Sequence, residues 1–232
     1  MLKIVAMIPC RLGSQRIKKK NLRLLGGKVL AQWVAKACKK TNIFTDIYIN
    51  SESEIFADIA NQADVKFYKR PDALASNTAS NDEFALDFMN SVDCDVLVQV
   101  NPTSPFTCAS DILSVVELYT KDGCKTVHTV KNEQIEGLFN GKALNFNPSK
   151  PMPPSQELLP VQLFASSIML WDCRAFRQNM DELGCAVYGG SNKIGYYPVK
   201  GFSALDIDNE EDFALAEAIV QIQQQEATYY EK

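Results

Sequence analysis

The first two-thirds of the chain alternates short apolar, β-rich runs with helical patterns, which restricts it to a parallel sheet covered on both faces. Strands are predicted at Lys3–Ile8, Ile47–Asn50, Val65–Tyr68, Val96–Val100 and Thr126–Val130. Helical spacing fills Val29–Lys40, Ser53–Gln62, Asp82–Asn90 and Ser110–Lys121 between them. Ser51 with Glu54 predicts a capping box for the second helix, and Thr107, Ser110 and Asp111 predict the opening of the fourth. Later come strands at Ser167–Trp171 and Ile194–Val199 and a short helix near Arg174–Met180. A last helix is expected over Asn209–Gln225, with fraying over Glu226–Lys232. Residues 132–160 differ: Asn, Gly and Pro148, Pro151, Pro153, Pro154 and Pro160 interrupt short apolar pairs. So long a stretch without helix predicts an arm or lid inserted at about 132–165 in a single domain spanning 1–232.

The first strand runs into Arg11-Leu-Gly13-Ser14-Gln-Arg16-Ile-Lys-Lys-Lys20-Asn21, which holds five basic side chains, one Gly and one Ser. Open α/β sheets bind ligands outside the carboxyl ends of their strands, where this loop falls. Gly13 lets backbone approach a phosphate, and the Arg and Lys ends supply charge. No Gly-Lys-Ser/Thr follows and G-x-G-x-x-G is absent, so this is neither a P-loop nor a dinucleotide fingerprint. A solvated basic turn is the alternative, and Lys18 and Lys19 fit it. Against it stands the acidity of the whole chain, net charge −4.

That negative charge disfavours nucleic-acid or anionic-membrane partners, and no apolar run reaches membrane-span length. Seven scattered cysteines, none spaced C-x-x-C, predict reduced thiols and a cytoplasmic location. With His128 the only histidine, any metal should be a hard ion on carboxylates and phosphate oxygens. His128 itself, in Thr-Val-His-Thr-Val, reads as a sheet-face residue with a local hydrogen bond. Cys10 reads as a small packed residue, and Trp33 and Trp171 as core or interface aromatics.

More polar clusters follow predicted strands. Arg70-Pro71 leads into Leu74-Ala75-Ser76-Asn77-Thr78-Ala79-Ser80, and Asn101-Pro102-Thr103-Ser104-Pro105 is a turn made rigid by its prolines. Asp206-Ile207-Asp208 precedes the last helix. Residues i and i+2 of an extended segment point the same way, so this pair suits a Mg²⁺ completed by water and phosphate oxygens. The other reading is a capping box of Asp208 with Glu211.

These blocks together resemble the CMP-sialic acid synthetase family of cytidylyltransferases. Ile8-Pro9-Cys10-Arg11-x-Gly13-Ser14-x-Arg16 with Lys20-Asn21 is similar to its opening motif. Arg70-Pro71 with Leu74–Ser80, Pro102–Pro105, and Asp206-Ile207-Asp208 with Asp212 follow in the family's order. The resemblance implies a three-layer, Rossmann-like nucleotidyltransferase fold with a mostly parallel sheet and a protruding arm that pairs two subunits. It implies transfer of CMP from CTP to the anomeric hydroxyl of a 2-keto-3-deoxy acid sugar, with pyrophosphate released. Arg11 and Lys20, helped by Arg16, would neutralise the triphosphate, and Mg²⁺ would sit on Asp206 and Asp208. Gly13 and Ser14 belong to the phosphate loop, and Asn21 would orient a phosphate or the ribose. Arg70 would face the cytosine O2 side, backbone near Ala79 and Ser80 would read its amine, and Asn101, Thr103 and Ser104 would lie at the acceptor.

There are three departures from the family pattern, the first beside the nucleotide base and the other two at the sugar acceptor. Asn77 replaces an Asp; Phe164-Ala165-Ser166-Ser167 replaces an Arg-Pro-Asn-Gly-like stretch; Cys185-Ala186-Val187-Tyr188 lacks paired aromatics. An acid acceptor needs a cation, and Lys131, Lys142, Lys150 and Arg174 are the candidates. Two rival readings are a GT-A-type glycosyltransferase, which also uses an Asp-x-Asp pair, and a nucleotide-binding module that has lost catalysis.

Overall fold

The computed structural model describes residues 2–14 and 16–224. In chain order it contains β1 (Ile4–Pro9), the short pair β2 (Leu24–Leu25) and β3 (Lys28–Val29), α1 (Leu30–Thr41), β4 (Asp46–Ser51), α2 (Ile55–Ala63) and β5 (Lys66–Lys69). Then come α3 (Asn81–Ser91), β6 (Val96–Val100), α4 (Ala109–Thr120), β7 (Thr126–Glu133), and the short pair β8 (Leu138–Phe139) and β9 (Lys142–Ala143). The chain closes with β10 (Val161–Asp172), α5 (Cys173–Leu183), β11 (Ile194–Pro198) and α6 (Glu210–Gln224). The predicted tail at 226–232 lies outside the described residues.

Seven strands form one sheet in the order β11-β7-β10-β6-β1-β4-β5. β1 shows why both faces are covered. Ile4, Ala6 and Ile8 pack into the layer of α1, α2 and α4, while Val5 and Met7 face α3 and α5 with Phe88, Trp171 and Phe176. With period 2 and both sides apolar, the strand fits only the middle of a sandwich. A smaller cluster ties α6 to the loop after β1 through Ile17, Ile207 and Phe213.

Only β10 runs against the rest, pairing antiparallel with both β6 and β7. The cause is its connection. β7 runs out to Glu133, and the chain returns at Val161 opposite it, so the two strands form a ribbon without a helical crossover. The segment from 134 to 160 tips this ribbon, where Ile135, Leu138, Phe139, Leu144, Met152 and Leu159 are exposed. Between Phe164 and Met169 the register with β7 shifts, and Ser166 sits in the left-handed region at φ 54°. Such a bulge re-aims the backbone next to the carboxyl edge of β6.

Two predicted caps fail, for a local reason. α2 begins after Glu54, and Ser51 Oγ instead accepts from the Ser53 amide at 3.2 Å. α6 is opened by Asn209 and Asp212: Asn209 Oδ1 accepts from the Asp212 amide at 2.9 Å, while Asp212 Oδ2 accepts from Asp208 and Asn209 amides. Asp208 is thereby left free of capping. The fourth helix keeps its Asp111, whose Oδ2 accepts from the Cys108 amide. α3 has an unpredicted capping box, Ser80 Oγ accepting from the Glu83 amide at 3.2 Å and Glu83 Oε2 from the Ser80 amide at 2.7 Å. Ser80→Ala is expected to cost about 1 kcal/mol, measurable by chemical denaturation.

Candidate active site

A cleft of about 810 Å³ opens at the carboxyl edge of the parallel strands and crosses from β5 to β7. Its first wall is the loop after β1. Cys10 donates its amide to the Asn50 carbonyl, Leu12 donates to Glu52 Oε1 at 2.7 Å, and Asn21 Nδ2 donates to the Arg11 carbonyl at 3.0 Å. Ile17, 1 % exposed, plugs the loop into the cluster under α6. Lys19 takes a left-handed turn that leads into one 3₁₀ turn, Lys20–Leu22. The result is a basic loop whose apolar anchor fixes where its cations point. Arg11, Ser14, Arg16, Lys20 and Asn21 line the cleft, and Lys18 and Lys19 are exposed. Gly13 has an ordinary φ, and a Cβ there would meet open space, so only a bound ligand could require glycine.

Lys20 is the buried member of this group. Its Nζ donates to the Ile207 carbonyl and lies 3.5 Å from Asp208 Oδ1, which Arg16 reaches at 2.8 Å. The Ile207 amide in turn donates to the Thr103 carbonyl at 2.8 Å. Three segments distant in sequence are thus bound into one corner. Asp206 stands beside it with Oδ1 buried and unpartnered. Burial pushes this carboxyl up from the usual range, Asp208 adds to that, and the Thr103 hydroxyl, Lys20 and Arg16 oppose it. An orphaned carboxylate oxygen two residues from a second carboxylate is a hard-donor pair that fits Mg²⁺ with water and phosphate as the remaining ligands.

Across β4 and β5, Arg70 is 3 % exposed. Its Nη2 donates to the Cys10 carbonyl at 3.2 Å and to Glu52 Oε2 at 3.3 Å, and its guanidinium lies 5.1 Å from the Phe84 ring centroid. Burial lowers its pKa, and Glu52 opposes that shift. Arg70 Nε, buried and without a partner, is a donor available to a ligand. Glu52 holds both the basic loop and Arg70, a role that no motif in the sequence announces. Cys10 is buried, and burial pushes its thiol far up, as a packed residue requires.

Beyond β6, Gln99 Nε2 donates to Asn101 Oδ1 at 2.9 Å, and Asn101 Nδ2 donates to the Ser166 carbonyl in the β10 bulge. Gln99 Oε1 stays unpartnered and faces the same cleft, so the amide presented to a ligand is Gln99's as much as Asn101's. Thr103 also lines the cleft. At the far end lie Phe164, Ser166, Met169, Val187, Tyr188 and His128. His128 is 1 % exposed, and neither ring nitrogen has a hydrogen-bond partner, contrary to the local bond expected of it. Burial pushes its pKa down to about 4, opposed by the nearby Val187 carbonyl, which does not reach hydrogen-bonding geometry with either nitrogen.

Gly13, Ala79, Ser80, Ser104, Asp206 and Asp208 do not line this cleft. Asp206 and Asp208 stand behind Lys20 and Arg16. Ser80 is engaged as a helix cap, and Ser104 Oγ is buried within its turn. Asn81 and Phe84 of α3 form the wall where Ala79 and Ser80 were expected. The four suggested acceptor cations are elsewhere: Lys131 pairs with Glu133, Lys142 and Lys150 are exposed on the arm, and Arg174 lines a separate hollow.

Residues 5–232 match the family model described as cytidylyltransferase. The chain belongs to the cytidylyltransferase family. It is 28 % identical over 242 residues to an N-acylneuraminate cytidylyltransferase of Escherichia coli O18:K1:H7, covering 94 % of this chain and 52 % of that protein. It is 32 % identical over 133 residues to a CMP-N,N'-diacetyllegionaminic acid synthase of Legionella pneumophila, covering 54 % of this chain and 57 % of that protein. The chain thus spans about half the length of these curated relatives. Its fold resembles a CMP:2-keto-3-deoxy-manno-octonic acid synthetase solved with CTP, at TM-score 0.73 and 15 % identity, over 95 % of this chain and 99 % of that one. The three-layer, mostly parallel nucleotidyltransferase fold expected from the sequence is the fold observed.

Proposed function

We propose that this chain transfers CMP from CTP to the anomeric hydroxyl of a 2-keto-3-deoxy acid sugar and releases pyrophosphate. The observation that carries this reading is the corner where Lys20 joins the phosphate loop to the Asp206–Asp208 segment beside the cleft. Arg11, Arg16 and Lys20 converge where a triphosphate would lie, and donors fixed before reaction stabilise the charge that grows on the leaving pyrophosphate. Arg70, rigid under Glu52 and over Phe84, offers its free Nε to the base. Gln99 and Asn101 border the position of the attacking hydroxyl. The relatives' names, which specify acylneuraminate and legionaminic acid, support an acid sugar as acceptor.

Asp206 and Asp208 would hold Mg²⁺, which when bound supplies charge neutralisation to phosphate oxygens. The exposed apolar residues of the 134–160 segment support a homodimer formed through this arm. No described helix is long and apolar enough to cross a membrane, and the scattered cysteines, free among the described residues, go with a cytoplasmic setting.

The test is pyrophosphate release from CTP with Mg²⁺ against a panel of acid sugars, with ATP, GTP and UTP as controls. CTP-specific release is expected with at least one acid. Asp206→Ala should lower it by on the order of 100-fold. Release in the absence of any acceptor, or equal use of all four nucleotides, would refute the reading.

A further inference from the structure

The acceptor end of the cleft differs in kind from the nucleotide end, and its role as an acceptor site rests on the CMP transfer proposed for the chain. The cations lining the cleft are Arg11, Arg16, Lys20 and Arg70, all on the β1 and β5 side. Among the described residues, no Lys or Arg lines the wall beyond Asn101. What stands there is a histidine beneath two aromatic rings. β7 is three strand positions from β1, so His128 is about 14 Å along the sheet from the phosphate loop. The Phe164 ring lies 5.0 Å from the imidazole, edge to face, and the Tyr188 ring 6.1 Å, with 5.7 Å between the two. Both rings are open to solvent, Phe164 at 49 % and Tyr188 at 72 %, while the imidazole between them is buried.

A buried polar side chain with no partner calls for an explanation, and a ligand group that completes its bonds is one. We propose that His128, under Phe164 and Tyr188, is a specificity-determining residue that receives an uncharged polar group of the acceptor, a hydroxyl or an amide, and not its carboxylate. A neutral imidazole offers a donor at one nitrogen and an acceptor at the other, and a hydroxyl or an amide can complement either one. A carboxylate only accepts. Placed between two rings with no cation on that wall, it would lose its hydration without gaining an opposite charge. The rings meanwhile cover the apolar C–H or acyl surface beside the bound group.

His128 is the only histidine in the chain, so the imidazole ¹⁵N and ¹H signals of the untagged full-length protein report on it alone. The probes are N-acetylneuraminate, N,N'-diacetyllegionaminate and 3-deoxy-manno-octulosonate, each added with a non-hydrolysable CTP analogue. An acceptor is expected to move the ring-nitrogen signals while the imidazole stays neutral. His128→Phe should raise the acceptor KM at least about tenfold, and His128→Gln, which keeps one donor and one acceptor, should stay within about threefold. CTP affinity, read by calorimetry, should change in neither variant. Formation of an imidazolium on binding, ring signals unmoved by every probe, or an unchanged KM in His128→Phe would each overturn the proposal. If His128→Phe does not fold, the wild-type spectra and His128→Gln decide. Failure of the wild type to bind CTP would be a separate result, removing the nucleotide reading and this inference with it.

Discussion

Acidification from pH 6.5 to pH 5 is expected to remove about 1.5 kcal/mol of folding stability through His128 alone, approaching about 3 kcal/mol near pH 4. The imidazole is held by burial at a pKa of about 4 in the folded chain, against an ordinary value of 6.5. Between those values the unfolded chain binds more protons than the folded one. The stabilisation is therefore complete above the ordinary value and is lost as pH falls toward the folded one. No other histidine competes, and the carboxylates, Asp206 with its raised pKa among them, are common to the wild type and His128→Phe, so the difference between the two slopes isolates this residue. Chemical denaturation at several pH values should give a steeper loss on acidification in the wild type than in His128→Phe. Equal slopes in the two proteins would mean that the folded imidazole titrates as the unfolded one does.

Lys20→Met should lower CTP-dependent pyrophosphate release by on the order of 100- to 1000-fold, the cost of removing one fixed donor from a developing anion. Lys20 is 7 % exposed and bridges the basic loop after β1 to the Ile207 carbonyl and to Asp208. Its loss takes a charge from the proposed triphosphate site and also frees the carboxylate segment from its place. The unpartnered Ile207 carbonyl adds about 1–2 kcal/mol of destabilisation. Lys20→Arg should rescue little, because a planar fork does not replace a compact ammonium on one buried carbonyl. Arg16→Met is expected to cost less, since Arg16 reaches Asp208 from the exposed side. Turnover assays and CTP calorimetry on the three variants check this order, and a milder effect for Lys20→Met than for Arg16→Met would contradict it.

The helices and most strands were legible because local pattern and tertiary burial agree. β1 alternates between two apolar layers, and α1 and α4 begin within a residue of where their spacing places them. The basic loop was legible as a place in the fold because it directly follows a buried strand, and three of its five cations line the cleft. The failures share another cause. Ser51 with Glu54 and Asp208 with Glu211 have the spacing of a capping box, but spacing does not choose between two neighbouring acceptors. Asn209 with Asp212 won at α6, and Asp208 went to Arg16 and Lys20. Glu52 and Gln99 carried no signal, since an acid in a turn and an amide in a strand look ordinary until Arg70 and Asn101 are brought beside them.

The sequence by itself determined the parallel α/β core, the basic loop at a strand's carboxyl end and the carboxylate pair before the last helix. The loop and the pair are each written within a dozen neighbouring residues, and the core in strands and helices whose patterns are just as local. Only the tertiary structure decided that β10 runs antiparallel, that Lys20 and the Ile207 amide together tie three distant segments into one corner, and that His128 lies buried and unpartnered under Phe164 and Tyr188. Those outcomes depend on which strands become neighbours in the sheet. That choice is made by packing across long stretches of chain, and local periodicity does not record it.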